Sequence, residues 1–138
     1  MPQHTLLLSW DAVNEVGIPI IDEQHRGIVT LINSFDFSIQ SGQQTEFFLH
    51  TIFTMMDGYT KLHFATEEEI LRRIEYEDLE QHKALHTDLI KKSFSVANES
   101  MRLRDPEIYL RFLQGWWMSH INSRDQQYAS IAKKYLAL

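Results

Sequence analysis

Residues 63–86 read HFATEEEILRRIEYEDLEQHKALH, and the spacing of their polar residues decides the fold. His63 and Glu67 are four apart, and so are His82 and His86. On an α-helix that interval places both members of a pair on one face, one turn apart. The break between the two pairs, around Tyr76 to Asp78, is short enough to make their helices antiparallel neighbours. Two adjacent helices, each aiming a pair of metal-binding side chains the same way, can build a metal site in the core of a bundle.

The rest of the chain supplies further helices. From Pro19, residues Ile21, His25, Ile28, Ile32, Phe35 and Ile39 recur at steps of three and four, which predicts an amphipathic helix over 19–41 ended by Gly42. A second helix is expected over 45–73, with Phe48, Ile52, Met55, Tyr59, His63, Glu67 and Ile70 as its inner stripe. Gly58 inside it costs about 1 kcal/mol against Ala and suggests close packing there. The third helix is expected over 78–98. Asp78 and Gln81 stand in a capping-box arrangement at its start, and His82, His86, Leu89, Ser93 and Val96 share one face. The polar run 98–104 reads as a loop. Asp105-Pro106-Glu107 then starts a helix over 105–121 that turns Ile108, Phe112, Trp116 and His120 inward. The pattern blurs at 122–124, and a short helix over 125–136, carrying Tyr128, Ile131 and Tyr135, closes the chain. Residues 1–18 lack helical periodicity and read as an extended arm anchored by Trp10. The expected fold is all-α: one domain over residues 1–138, an up-down-up-down antiparallel four-helix bundle with an N-terminal arm and a short C-terminal helix.

Composition narrows the chemistry. Of 138 residues, 43% are hydrophobic and 23% charged, as in ordinary globular proteins. The net charge of −6 argues against nucleic acid or an anionic membrane as partner. Without cysteine there is no disulfide, thiolate metal site or catalytic thiol. No apolar run approaches the roughly 20 residues of a membrane span. The LLL at 6–8 is too short for a signal peptide, so no membrane insertion and a cytoplasmic location are expected. Five of the seven histidines, His25, His63, His82, His86 and His120, fall on apolar stripes; His4 and His50 do not. Burying five imidazoles and a carboxylate is costly unless each polar atom has a partner, and a metal centre partners them together. Nitrogen and oxygen donors without sulfur suit iron or manganese better than zinc. Five imidazoles with carboxylates suit two ions rather than one.

DEQH at 22–25, HFATEE at 63–68, HKALH at 82–86 and HINSRD at 120–125 resemble the four ligand motifs of the hemerythrin family, in particular its bacterial branch, the bacteriohemerythrins. Trp10 and VGIPIIDEQH resemble the family's N-terminal arm, so the likeness runs from about Ser9 to Tyr128. It implies a site of two non-heme irons joined by an oxo or hydroxo bridge. His82, His86 and His120 would hold one iron, and His25 and His63 the other, with Glu67 and Asp125 bridging. Glu67 shares a face with His63, whereas Glu68 and Glu69 rotate away and read as solvated surface charges. The resemblance implies reversible O2 binding at the iron with two histidines, for storage, delivery to an O2-using enzyme or sensing through a signalling partner, and not an enzyme. A dry wall is expected from Ile28, Phe64, Trp116, Trp117 and Ile121. The alternative is a di-iron enzyme with peroxidase, oxidase or nitric-oxide-handling activity; histidine-rich ligation disfavours it, since oxygen-activating sites use more carboxylates. Two departures stand out. Trp117 occupies a place where the family usually has Leu, and the segment between His86 and His120 is longer than in marine-worm oxygen carriers.

Overall fold

A computed structural model describes Leu8 and residues 15–42 and 46–136, with the side chains of 46, 47, 118 and 121–126 outside the description. Trp10 and His4 therefore lie outside the described residues. Of the N-terminal arm, Leu8 is buried and exchanges two hydrogen bonds with the Asn33 amide, at 3.0 and 2.7 Å.

Helix α1 spans Pro19–Gln40. Proline at its first position is preset for helical φ and forgoes a donor that has no partner there. Asp22 in the first turn accepts from the backbone N–H groups of Val16 and Gly17, at 2.8 and 3.1 Å, which fixes how the chain enters the bundle. Gly42, at φ +76°, takes the left-handed position after the helix. Helix α2 runs Glu46–Arg73 and α3 runs Leu79–Arg102. Asp78 makes no side-chain capping bond, so the expected capping box does not form.

The polar run 98–104 is not a loop: α3 continues to Arg102. Its polar residues are the solvent face of an amphipathic turn whose other side buries Ala97 and Ser100. Arg102 pairs with Glu99 one turn earlier, which supports the helix further. α3 then stops with Arg104 at φ 52°, its N–H bonding Met101 C=O and the next N–H, of Asp105, bonding Ser100 C=O. This is a Schellman cap, and it favours glycine at the left-handed position. Arg104→Gly is expected to stabilise the protein by about 0.5 kcal/mol, because relief of the left-handed penalty outweighs the added freedom of the unfolded chain. Equilibrium urea denaturation checks this, and a loss of stability would contradict it.

Helix α4, Pro106–Trp116, starts as the sequence implies, with Asp105 accepting from Glu107 N–H at 3.2 Å. The expected break at 122–124 is absent. A π-helical turn, Trp117–Ile121, leads directly into α5, Asn122–Tyr135. A π-turn carries an extra residue per turn, so the α-periodicity of the sequence slips there and reads as an interruption.

α1 packs on α2 and α4, and α3 packs on α2 and α4. With short connections this closes an antiparallel four-helix bundle. Two apolar clusters fill it. Ile28, Ile32, Phe35, Met56, Leu113 and Trp117 lie in one, and Ile21, Leu71, Tyr128 and Ala132 in the other. One assignment within the stripes, Met55, differs from the sequence reading. Met55 is 52% exposed while Met56 is buried, and Ile131 and Tyr135 face solvent. Gly58 has open space beside it. The close approach is at Gly27, where a Cβ would lie 1.9 Å from the Tyr59 hydroxyl oxygen. Among the described residues, no helix is long and apolar enough to cross a membrane.

Candidate metal centre

In each helix the polar stripe residues fall between segments that feed the two apolar clusters. His25 follows Ile21 and precedes Ile28; His63 and Glu67 lie between Met56 and Leu71; His120 lies between Trp117 and Tyr128. His25, His63 and Glu67 have no solvent exposure, His86 and His120 very little, and His82 slightly more. The rings converge. His25 and His63 have centroids 4.9 Å apart, His82 and His86 4.6 Å, and His86 and His120 5.7 Å. His50 is exposed on α2, away from this layer.

Glu67 is at the centre. Its Oε1 meets Nε2 of His82, which it contacts closely, and Nε2 of His86 at 3.2 Å. Its Oε2 faces Nε2 of His63 at 3.4 Å. One carboxylate therefore offers one oxygen to the α3 pair and the other to its own helix partner. Ligand atoms of Glu67, His82 and His86 lie within 4.8 Å of one another, close enough for one ion.

Two rings have a second partner behind them. Nδ1 of His63 faces Gln24 Oε1 at 3.0 Å, and Nδ1 of His86 faces Glu68 Oε2 at 2.7 Å. A carboxylate or amide oxygen only accepts, so Nδ1 of each ring must carry the proton and donate. In the neutral ring, Nε2 is then a bare lone pair, and in both residues it points at an oxygen of Glu67. Lone pairs of nitrogen and carboxylate facing each other in a dry interior repel unless a proton or a metal ion lies between them. The donor set thus fits a metal ion in its chemistry as well as its placement.

Glu68 corrects the sequence reading. It is not a purely solvated charge, since its carboxylate fixes His86. Glu69 does match: it lies on the surface, where hydrogen bonds from Arg72 and then Arg73 hold its carboxyl down at about 2. Gln24 was missed as well. It adjoins His25 in sequence but serves His63 across the α1–α2 interface, a pairing that no spacing within one helix reveals.

Around this layer, Phe64 stacks on His86 with centroids 3.7 Å apart and planes 3° from parallel. Trp116 meets Phe64 edge-on at 6.1 Å. Trp117, almost wholly buried, meets the His25 ring edge-on at 5.3 Å. Ile28 is fully buried in the same cluster. The side chains of Ile121 and Asp125 lie outside the described residues.

A histidine and carboxylate layer inside an antiparallel four-helix bundle defines a class of cation-binding domain. Residues 16–132 match the sequence model of the hemerythrin HHE cation binding domain, and the chain belongs to that family. It is 34% identical to a bacteriohemerythrin of Stenotrophomonas maltophilia, over 94% of this chain and 84% of that one. It is also similar to a myohemerythrin of Theromyzon tessulatum, at 26% identity over 86% of this chain and 88% of that one. A hemerythrin-like protein of Naegleria gruberi is 24% identical over 89% and 92%. The likeness to the bacterial branch read from the four motifs is borne out.

Proposed function

We propose that this chain is a non-heme di-iron protein that binds O2 reversibly. His25 and His63 would face one iron and His82, His86 and His120 the other, with Glu67 and Asp125 spanning the pair. The observation that carries the reading is the split of the Glu67 carboxylate, one oxygen toward His82 and His86 and the other toward His63. A group that served one ion would turn both oxygens, or only one, to a single set of nitrogens. Its buried negative charge would offset the repulsion between two close cations.

Bound there, iron supplies the reversible electron transfer that O2 binding requires. The protein's own residues hold the site in shape and keep it dry. Gln24 and Glu68 keep the protons of His63 and His86 on Nδ1, leaving Nε2 of both rings aimed inward. Phe64, stacked on His86, fixes that ring's plane. Ile28, Phe64, Trp116 and Trp117 would form an apolar wall that excludes water and stray protons from the O2 side.

The test is iron analysis of freshly purified protein, followed by cycles of air and argon on the reduced form. Two irons per chain and a visible absorption that comes and goes with O2 are expected. Less than one iron per chain, or colour that bleaches irreversibly while a peroxide or other substrate is turned over, would overturn the reading.

A further inference from the structure

We propose that Thr66, which lies outside the metal-facing set, acts as a positioning residue that decides which nitrogen of His63 is protonated, by fixing the orientation of the Gln24 amide. The inference rests on the metal-site reading only for its effect on affinity; the protonation pattern itself is a property of the folded chain.

The hydrogen bonds form a chain with one direction. Thr66 Oγ1 is 2.9 Å from the backbone carbonyl of Leu62, one turn back. A carbonyl cannot donate, so the single hydroxyl proton of Thr66 is committed to it. Thr66 Oγ1 can then only accept, and the group 2.9 Å away is Gln24 Nε2. With its nitrogen end held by Thr66, the amide turns its oxygen to His63, where Oε1 lies 3.0 Å from Nδ1. His63 then keeps its proton on Nδ1 and turns an unprotonated Nε2 toward Glu67. The proton inventory runs in one direction from the Leu62 carbonyl to the metal-facing nitrogen.

An amide needs such a lock because its two ends have opposite hydrogen-bonding character. A flipped Gln24 would offer N–H to Nδ1 and push the His63 proton onto Nε2, where it would block a metal. Glu68 behind His86 needs no lock, since both of its oxygens accept. The two halves of the site therefore have unequal support: a charged acceptor behind His86, and a neutral, orientation-dependent one behind His63. Outer partners of this kind typically govern metal affinity by 10- to 100-fold.

Thr66→Val keeps the shape of the side chain and removes the acceptor. In protein with 15N-labelled histidine, the exchangeable His63 Nδ1–H signal should be lost or halved in Thr66→Val and should persist in Thr66→Ser. Affinity for Co2+ should fall about tenfold in the valine variant and stay near wild type in the serine variant. Adding Gln24→Glu to Thr66→Val should restore both readouts, because a carboxylate accepts at either end; a merely structural defect would not be rescued this way. A wild-type His63 Nδ1–H signal in Thr66→Val, or failure of the double variant to restore it, would overturn the proposal. If the protein held no iron at all but the Thr66→Val signal changed as described, the lock would stand and the di-iron reading would fall.

Discussion

Glu67→Gln is expected to purify with less than a tenth of the wild-type iron, measured by elemental analysis on protein prepared identically. The side chain has no solvent exposure and its two oxygens serve opposite sides of the site. Glutamine has the same shape, but it lacks the charge and offers an acceptor at one end only. Its NH2 group would donate to an Nε2 lone pair that must stay bare for a metal. A second outcome distinguishes this from general damage. A buried carboxylate without a compensating cation costs several kcal/mol, so metal-free Glu67→Gln should be at least as stable to urea as metal-free wild type. A variant that lost iron and was also less stable without it would indicate a packing role. Glu68→Gln should behave differently. It keeps an acceptor within reach of His86 and loses only its charge, so iron should be retained, with affinity lower by about tenfold. If Glu68→Gln lost iron and Glu67→Gln kept it, the bridging position would belong to Glu68.

What the sequence disclosed, and what it hid, follows from the range over which each feature is determined. His63 with Glu67, and His82 with His86, are legible because one helical turn relates them and the α-helix has a fixed pitch. The convergence of His25 and His120 on the same layer needed four stripes read together; the bundle then forces it, since each stripe must face the common core. The outer contacts were not legible. Gln24 reaches His63 across two helices, and Glu68 reaches His86 across two others, so their roles depend on helix rotation and offset, which spacing alone does not give. The run Glu67-Glu68-Glu69 shows the limit sharply: three identical residues take a buried central position, a half-buried supporting one and an exposed pair with Arg72 and Arg73. Local rules failed where the helix was either polar or not α. The stretch 98–102 is helical because Ala97, just before it, and Ser100, within it, lie on the buried side, where the Ser100 hydroxyl donates to the Asp105 carbonyl. The turn around His120 broke the 3.6-residue period itself. π-turns inside helices often mark functional positions, and here one carries a proposed ligand and starts at the tryptophan packed against another.

Trp117→Leu is expected to lower stability by about 2 kcal/mol and to shorten the lifetime of the O2-loaded protein at least threefold, with iron content unchanged. The stability loss follows from burial: Trp117 is 1% exposed, and replacing a large buried aromatic leaves space that a bundle refills only in part. An indole in place of the family's usual Leu has two places to go: into the pocket, or outward across an entrance. The ring is inside, edge-on to His25 at 5.3 Å and within the apolar cluster on that side of the layer. Leucine would open room beside His25, proposed to hold the O2-binding iron together with His63, and room next to polar nitrogens is where a water settles. Water there would supply protons and speed decay of the O2-loaded form to the oxidised, O2-free form. Iron should remain because Trp117 donates no ligand. The lifetime is read from the decay of the O2-dependent absorption in air, at a temperature where both proteins are fully folded, so that the stability difference does not enter. Trp117→Phe provides the control: it keeps an aromatic edge in place and should fall between wild type and leucine. Equal lifetimes in all three proteins, with the stability loss still present, would reduce Trp117 to core packing and return the task of excluding water to Ile28, Phe64 and Trp116.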